Sequence, residues 1–251
     1  GGILVKLRII GFWGGYPGKD GASSMYVLEK DDFLLLLDVG SGGLAKFQKY
    51  YDVTDIDAVL ISHYHSDHIA DVGVLQHALL VRSYMTRMDE ELPIYGHKED
   101  EDNFYKLNHD FTKAVRYNPN NVLKIGPFFI RFLKTNHSVP CYGMRITDGK
   151  QTMIYTADTA YQDEWIKFSL DADLLLAECN FYAGQEDVAQ EAGHMTSKQV
   201  AKIAKEANVK EVILTHLPHY GNREDLIKEA SEVYDGNITL AYEGLVWGKN
   251  E

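Results

Sequence analysis

Six residues, His63-Tyr64-His65-Ser66-Asp67-His68, carry three imidazoles and a carboxylate. Packing gives no reason for such crowding, because a buried imidazole without a partner costs desolvation and an exposed one adds little stability. A divalent transition metal does give a reason. Zinc and manganese take imidazole nitrogen and carboxylate oxygen at about 2.0–2.2 Å, and two ions within about 4 Å of one another need many such ligands. The bland alternative is a solvated polar turn. The apolar run 58–61 leads directly into the cluster, and apolar residues recur at helical spacing over 69–82 after it. The cluster therefore belongs on a loop joining a strand to a helix, a loop held by a rigid scaffold.

That strand is one of many. The pattern predicts strands over 4–10, 25–28 and 33–39, with glycine and proline loops between them. Segment 80–92 reads as a surface helix offering only Arg82 and Arg87 as cations. The charged stretch 97–116 reads as a solvent-facing helix or pair of helices, ending at Asn118-Pro119-Asn120-Asn121. Strands follow over 128–133, 143–146 and 152–156, the last two separated by an Asp148-Gly149 turn. Beyond them come a helix over 161–168, a buried strand over 174–177, a helix over 197–207 and a strand over 212–214. A helix over 222–233 and strands over 238–241 and 245–247 close the chain. No linker, low-complexity tract or repeat interrupts it. A chain of 251 residues can bury a large core, and the expectation is one layered α/β domain over 1–251 with two central sheets.

Charge and composition narrow the function. The net charge is −12, with Lys and Arg scattered. That argues against gripping a long nucleic acid through its phosphates and leaves room for a small anionic substrate. No apolar run approaches the ~20 residues of a membrane helix, and the amino terminus lacks a signal-peptide pattern. Cys141 and Cys179 are not close-spaced, so a disulfide framework is not expected and a reducing cytoplasm is. Either could ligate a metal, but Cys179 closes a hydrophobic strand and reads better as a small buried apolar residue. His97 and His109 are expected to be solvated, His77 to pack or meet water, and His219 to lie in a surface loop.

Further metal-ligand candidates lie at the mouths of strands: His137 in Thr135-Asn136-His137-Ser138, Asp158 in Thr156-Ala157-Asp158-Thr159, and His216 in Leu214-Thr215-His216-Leu217. Together with the cluster they supply enough ligands for two metals. The series His63-x-His65-x-Asp67-His68, His137, Asp158, His216 resembles the motifs of the metallo-β-lactamase superfamily along nearly the whole chain. The resemblance implies an α/β fold, the four-layer αβ/βα sandwich. It implies that His63, His65 and His137 hold one metal, that Asp67, His68 and His216 hold the other, and that Asp158 bridges. Asp38 in Leu37-Asp38-Val39-Gly40 resembles the family's strand-end aspartate, expected to orient a ligand or the metal loop.

Four segments resemble the ribonuclease Z and cyclic-nucleotide phosphodiesterase branch. They are Gly193-His194-Met195-Thr196-Ser197, Ala177-Glu178-Cys179-Asn180-Phe181, the loop from Gly15-Tyr16-Pro17 to Ser23-Ser24, and Tyr155-Thr156-Ala157-Asp158-Thr159. Glu178 is expected to support the site. His194 reads either as a proton donor to the phosphoryl or leaving oxygen or as a cap of the helix near Thr196. The implied chemistry is phosphodiester hydrolysis by a hydroxide bridging two metals, oriented by Asp67. Histidine-rich N/O ligation points to Zn2+, with Mn2+ as the alternative.

Ribonuclease Z proteins that process tRNA commonly carry a long basic arm between the residues matching His137 and Asp158. Here only 21 positions separate them. A small nucleotide or short oligonucleotide phosphodiester is thus the expected substrate and tRNA the disfavoured one. A lactone or thioester hydrolase and a non-enzymatic metal-binding module remain as alternatives. The branch also implies a homodimer.

Overall fold

The computed structural model describes residues 4–248. They form two compact units, one running to Asn118 and joined by the segment from Tyr242, the other Pro119–Ala241.

The first unit is built on β1 (Lys6–Gly11), β2 (Met25–Lys30), β3 (Phe33–Leu37), β4 (Ala58–Leu60), β5 (Leu92–Gly96), β6 (Thr112–Arg116) and the last strand, β14 (Val246–Trp247). Its helices are α1 (Gly43–Phe47), α2 (Ser66–Ile69), α3 (Val72–Ser83) and α4 (Glu101–Tyr105). The sheet order is β14-β1-β2-β3-β4-β5-β6. Pairings are antiparallel from β14 to β3 and parallel from β3 to β6. Val72, Leu75 and Leu79 of α3 share a buried cluster with Val27, Leu36, Val59 and Ile94 from the strands.

The second unit contains β7 (Leu123–Ile125), β8 (Phe128–Lys134), β9 (Tyr142–Thr147), β10 (Thr152–Tyr155), β11 (Leu174–Glu178), β12 (Glu211–Thr215) and β13 (Asn237–Leu240). The helices are α5 (Glu164–Phe168), α6 (Glu186–Ala192), α7 (Ser197–Glu206) and α8 (Glu224–Ser231). The order is β13-β12-β11-β10-β9-β8-β7, antiparallel from β7 to β10 and parallel from β10 to β13. Each unit thus has the same succession of pairings, a repetition of topology without a visible repeat of sequence. The apolar run of β11 is buried throughout, as a central parallel strand requires. Helix α7 starts at a capping box in which Thr196 and Gln199 satisfy one another's backbone N–H. Burying its Val200 and Ile203 stabilises by about 1.5–3 kcal/mol each.

The two-sheet α/β expectation describes the protein, but four local expectations need correction. The stretch 97–116 is not a helical pair: α4 occupies five residues, and 112–116 is the edge strand β6. Charged side chains on an edge strand discourage pairing with other chains, and they hide the apolar signal. His97 is buried rather than solvated; Tyr64 Oη donates to its carbonyl at 2.6 Å and packs against its ring. Segment 80–92 is not one helix, since α3 ends at Ser83 and β5 begins at Leu92. The helix expected over 69–82 is divided between α2 and α3, with the break at Ala70-Asp71. There Asp71 N–H donates to Val39 O and Asp71 Oδ2 accepts from Leu44 N–H.

Candidate metal centre

In the first unit the cluster follows β4. Ser62 N–H and Ser62 Oγ–H donate to the two oxygens of Asp38, each at 2.8 Å. Because the hydroxyl proton is committed to Asp38, Ser62 Oγ accepts from His63 Nδ1–H at 2.9 Å. Asp38 Oδ2 also accepts from His68 Nδ1–H at 2.7 Å. This network assigns both imidazoles the tautomer with the proton on Nδ1 and the lone pair on Nε2. Asp38, Ser62, His63 and His68 are all buried. The rings of His63 and His65 lie 4.9 Å apart, and those of His63 and His68 lie 4.1 Å apart. Asp67 Oδ2 accepts from Gly15 N–H at 3.0 Å and lies 3.5 Å from His68 Nε2.

The backbone holds this geometry. Val39 N–H donates to His68 O, and Ser23 Oγ–H donates to Asp67 O. Gly40 sits where a Cβ would collide with Asp67 O and Ser23 Oγ. Tyr117 Oη donates to Ile61 O, and Ile61 N–H donates to Tyr95 O, fixing the approach to the cluster.

In the second unit the candidate residues again leave the carboxyl ends of strands, the usual place for ligands in α/β sheets. Asp158 follows β10, Glu178 ends β11 and His216 follows β12. His137 Nδ1–H donates to Gly193 O at 2.9 Å, which puts its lone pair on Nε2, 3.7 Å from Asp158 Oδ2. His216 Nε2 is 3.3 Å from Asp158 Oδ1. Glu178, buried at 1% exposure, accepts from Thr159 N–H at 3.0 Å, from Met195 N–H at 3.1 Å and from His194 Nδ1 at 2.6 Å. One donor atom from each of Glu178, His194 and His216 lies within 4.8 Å of the others. The ring of His194 stacks on His216 at 5.1 Å and meets His137 edge-on at 5.3 Å.

Non-glycine residues with left-handed backbone mark these strand ends: Asp38 at φ 58°, Ala157 at 52° and His216 at 52°. Such conformations are strained and concentrate where the surrounding fold enforces a site.

The helix-cap account of His194 does not hold, because Thr196 is the N-cap of α7. Ser62 and Gly193 were missed as partners from sequence alone. Ser62 adjoins the cluster and Gly193 adjoins His194, but nothing local says where their hydroxyl and carbonyl point. Cys141 and Cys179 are buried and belong to no metal-holding group among the described residues. Burial pushes the Cys179 thiol well up, with the Glu178 charge adding to the effect. His77 and His109 are exposed and His219 is half-buried.

The donors suit divalent metal: imidazole nitrogens with Nδ1 held by oxygen partners, beside carboxylates, in buried surroundings. In the same direction, a family model described as a beta-lactamase superfamily domain matches residues 35–217. The chain is 49% identical over 244 residues to a probable metallo-hydrolase, YhfI, of Bacillus subtilis, covering 97% of this chain and 99% of that one. The crystal structure of YhfI superposes with a TM-score of 0.95 at 48% identity over 97% of this chain and 99% of that one. Human tRNase Z, short form, has a TM-score of 0.75 at 21% identity, covering 96% of this chain and 98% of that one. A diphosphatase of the PhnP family has a TM-score of 0.75 at 17% identity, covering 98% of each chain. These last two likenesses are of fold.

Proposed function

The chain belongs to the metallo-β-lactamase superfamily and is a metal-dependent hydrolase of that fold, and from this premise we propose that it hydrolyses small nucleotide phosphodiesters. His63, His65 and His137 would hold one divalent cation and Asp67, His68 and His216 a second, with Asp158 shared. The nitrogen and oxygen donors favour zinc over manganese. Two such cations, when bound, lower the pKa of water toward about 7 and neutralise charge on phosphoryl oxygens.

The protein's own groups supply the rest. Asp38 orients His68 directly and His63 through Ser62. Asp67 orients the attacking water. His194 hands a proton from Nε2 to a phosphoryl or leaving oxygen while Glu178 holds its Nδ1.

The Glu178–His194 pair is the observation that carries this reading. A buried carboxylate already satisfied by two backbone N–H groups also fixes one imidazole beside His216. Lactone or thioester hydrolysis has no evident use for that imidazole. The interval between His137 and Asp158 is filled by the β9–β10 hairpin, which favours a small substrate over tRNA. The family model spans both compact units, which supports treating them as one functional domain. Among the described residues no helix is long and apolar enough to cross a membrane. Two free, buried cysteines suit the reducing cytoplasm we assign.

Metal analysis and a substrate panel test the proposal. The panel comprises bis(p-nitrophenyl) phosphate, 2′,3′- and 3′,5′-cyclic nucleotides, linear dinucleotides, pre-tRNA and a lactone. Phosphodiester turnover with zinc or manganese should fall about 10²–10⁴-fold in His194→Ala, the usual range for losing a general acid. Lactone cleavage without phosphodiester turnover would overturn the reading. Full phosphodiester activity in His194→Ala would remove the role given to that residue.

A further inference from the structure

On the second unit, β8, β9 and β10 carry a groove of about 420 Å³ lined by Val122, Phe129, Arg131, Arg145, Thr147 and Thr152, none of them a proposed metal ligand. Its volume lies within the roughly 300–1,000 Å³ of small-molecule sites. The sheet register lays its residues out in two rows. Phe129 pairs with Thr147, and Thr147 with Thr152. Two residues along, Arg131 pairs with Arg145. Residues two apart on a strand share a face, so the rows stand about 7 Å from one another.

Two guanidinium groups directly opposite one another are an unfavourable cross-strand pair. A chain of net charge −12 has ample carboxylate to relieve it, yet among the described residues neither arginine is ion-paired. Arg145 is held in place by donating from one guanidinium nitrogen to Phe168 O at 2.9 Å and Leu170 O at 3.1 Å. The nearby acids are engaged elsewhere. Asp173 accepts from Thr152 N–H and Lys210 Nζ, and Asp171 from Asn208 Nδ2. Arg131 is exposed, and its side chain makes no hydrogen bond among the described residues. Burial, and after it the charge of Arg131, lower the basicity of Arg145 against the opposing pull of the Asp171 and Asp173 carboxylates.

The row of Phe129, Thr147 and Thr152 presents an aromatic ring and two hydroxyls where the arginine row is charged. Phe129 is 43% exposed, Val122 lies beside it at 52%, and Lys124 Nζ sits 5.6 Å from the Phe129 ring centroid. Thr152 borders the groove from β10. We propose that this groove binds a nucleoside monophosphate, its phosphate on Arg131 and Arg145 and its base on Phe129. Paired guanidinium forks match phosphate oxygens, and an exposed aromatic face is a stacking surface for a base. The proposal is independent of the hydrolase reading, because it shares no residue with that site.

The test is AMP binding to the purified, metal-loaded protein. Isothermal titration would be combined with amide shift mapping, with inorganic phosphate and adenosine as separate probes. AMP should shift the amides of Thr147 and Thr152, and Arg131→Gln should weaken it about tenfold, as expected for losing a charge-assisted contact. Phe129→Ala should reduce AMP affinity toward that of inorganic phosphate. Turnover of bis(p-nitrophenyl) phosphate should be unchanged in both variants. Arg145→Gln could disturb the end of α5, so Arg131→Gln, at an exposed side chain with no hydrogen bond or ion pair among the described residues, carries the decision. Equal AMP affinity in wild type and Arg131→Gln, adenosine binding as tightly as AMP, or shifts confined to other residues would each overturn the proposal.

Discussion

Replacing Asp38 by Asn tests the hydrogen-bond network behind the cluster with little change of shape. Asn tolerates the left-handed φ of 58° as well as Asp does, so the backbone has no reason to move. The amide oxygen can keep the bond from Ser62 N–H. The amide nitrogen then faces Ser62 Oγ and His68 Nδ1, both of which donate to Oδ2 in the native protein. His68 relieves the clash of donors by moving its proton to Nε2, the nitrogen proposed to ligate metal. Losing a partner of this kind lowers metal affinity about 10–100-fold, or about 1.4–2.7 kcal/mol. The metal-free protein should also lose about 1.5–3 kcal/mol from the charge-assisted bonds, a fall in Tm of roughly 3–12 °C for a chain of this size. Zinc competition against a chromogenic chelator reads the first quantity, and melting in excess EDTA reads the second. A variant that melts early but binds zinc within about threefold of wild type would show that Asp38 serves the fold alone.

Three further outcomes are expected. Gly193→Ala places a Cβ 2.6 Å from His137 Nδ1 at a φ of 79°, so bound metal per chain and Tm should both fall; unchanged metal content would show that His137 does not depend on the Gly193 carbonyl. The Thr54 backbone N–H, the Arg82 guanidinium and the Thr54 hydroxyl hold Asp52 down at about 2, against an ordinary 3.8. A depressed carboxylate contributes stability above its unfolded pKa that is lost as pH falls through the folded one. Asp52→Asn should therefore be less stable than wild type at neutral pH and converge with it near pH 2, by a small margin because the side chain is half exposed. Iodoacetamide should label Cys179 only after denaturation, since the thiol is buried and its pKa raised; mass spectrometry showing native labelling would contradict that.

Much of the fold was legible because central parallel strands are continuous apolar runs. Val212–Leu214 and Leu174–Ala177 announce themselves without any knowledge of their neighbours. The metal-ligand candidates were legible for a related reason, as polar residues that break such runs at the strand mouths. β5 and β6 were not legible. A proline at the second position of Leu92–Gly96 and charges along Thr112–Arg116 contradict local strand preference, and pairing with β4 and with each other overrides it.

The site divides along the same line. By itself the sequence determined which donor types cluster, because His63, His65, Asp67 and His68 lie within six residues and local spacing survives any fold. Only the tertiary structure decided which nitrogen of His63, His68 and His137 carries its proton. That depends on Asp38, 30 residues before His68, and on the Gly193 carbonyl, 56 residues beyond His137. It likewise decided that Thr196 caps α7 while His194 turns to Glu178, and that Arg131 stands opposite Arg145. Composition and periodicity are properties of neighbours along the chain. Hydrogen-bond direction and cross-strand register are set where distant segments meet, and no local pattern encodes them.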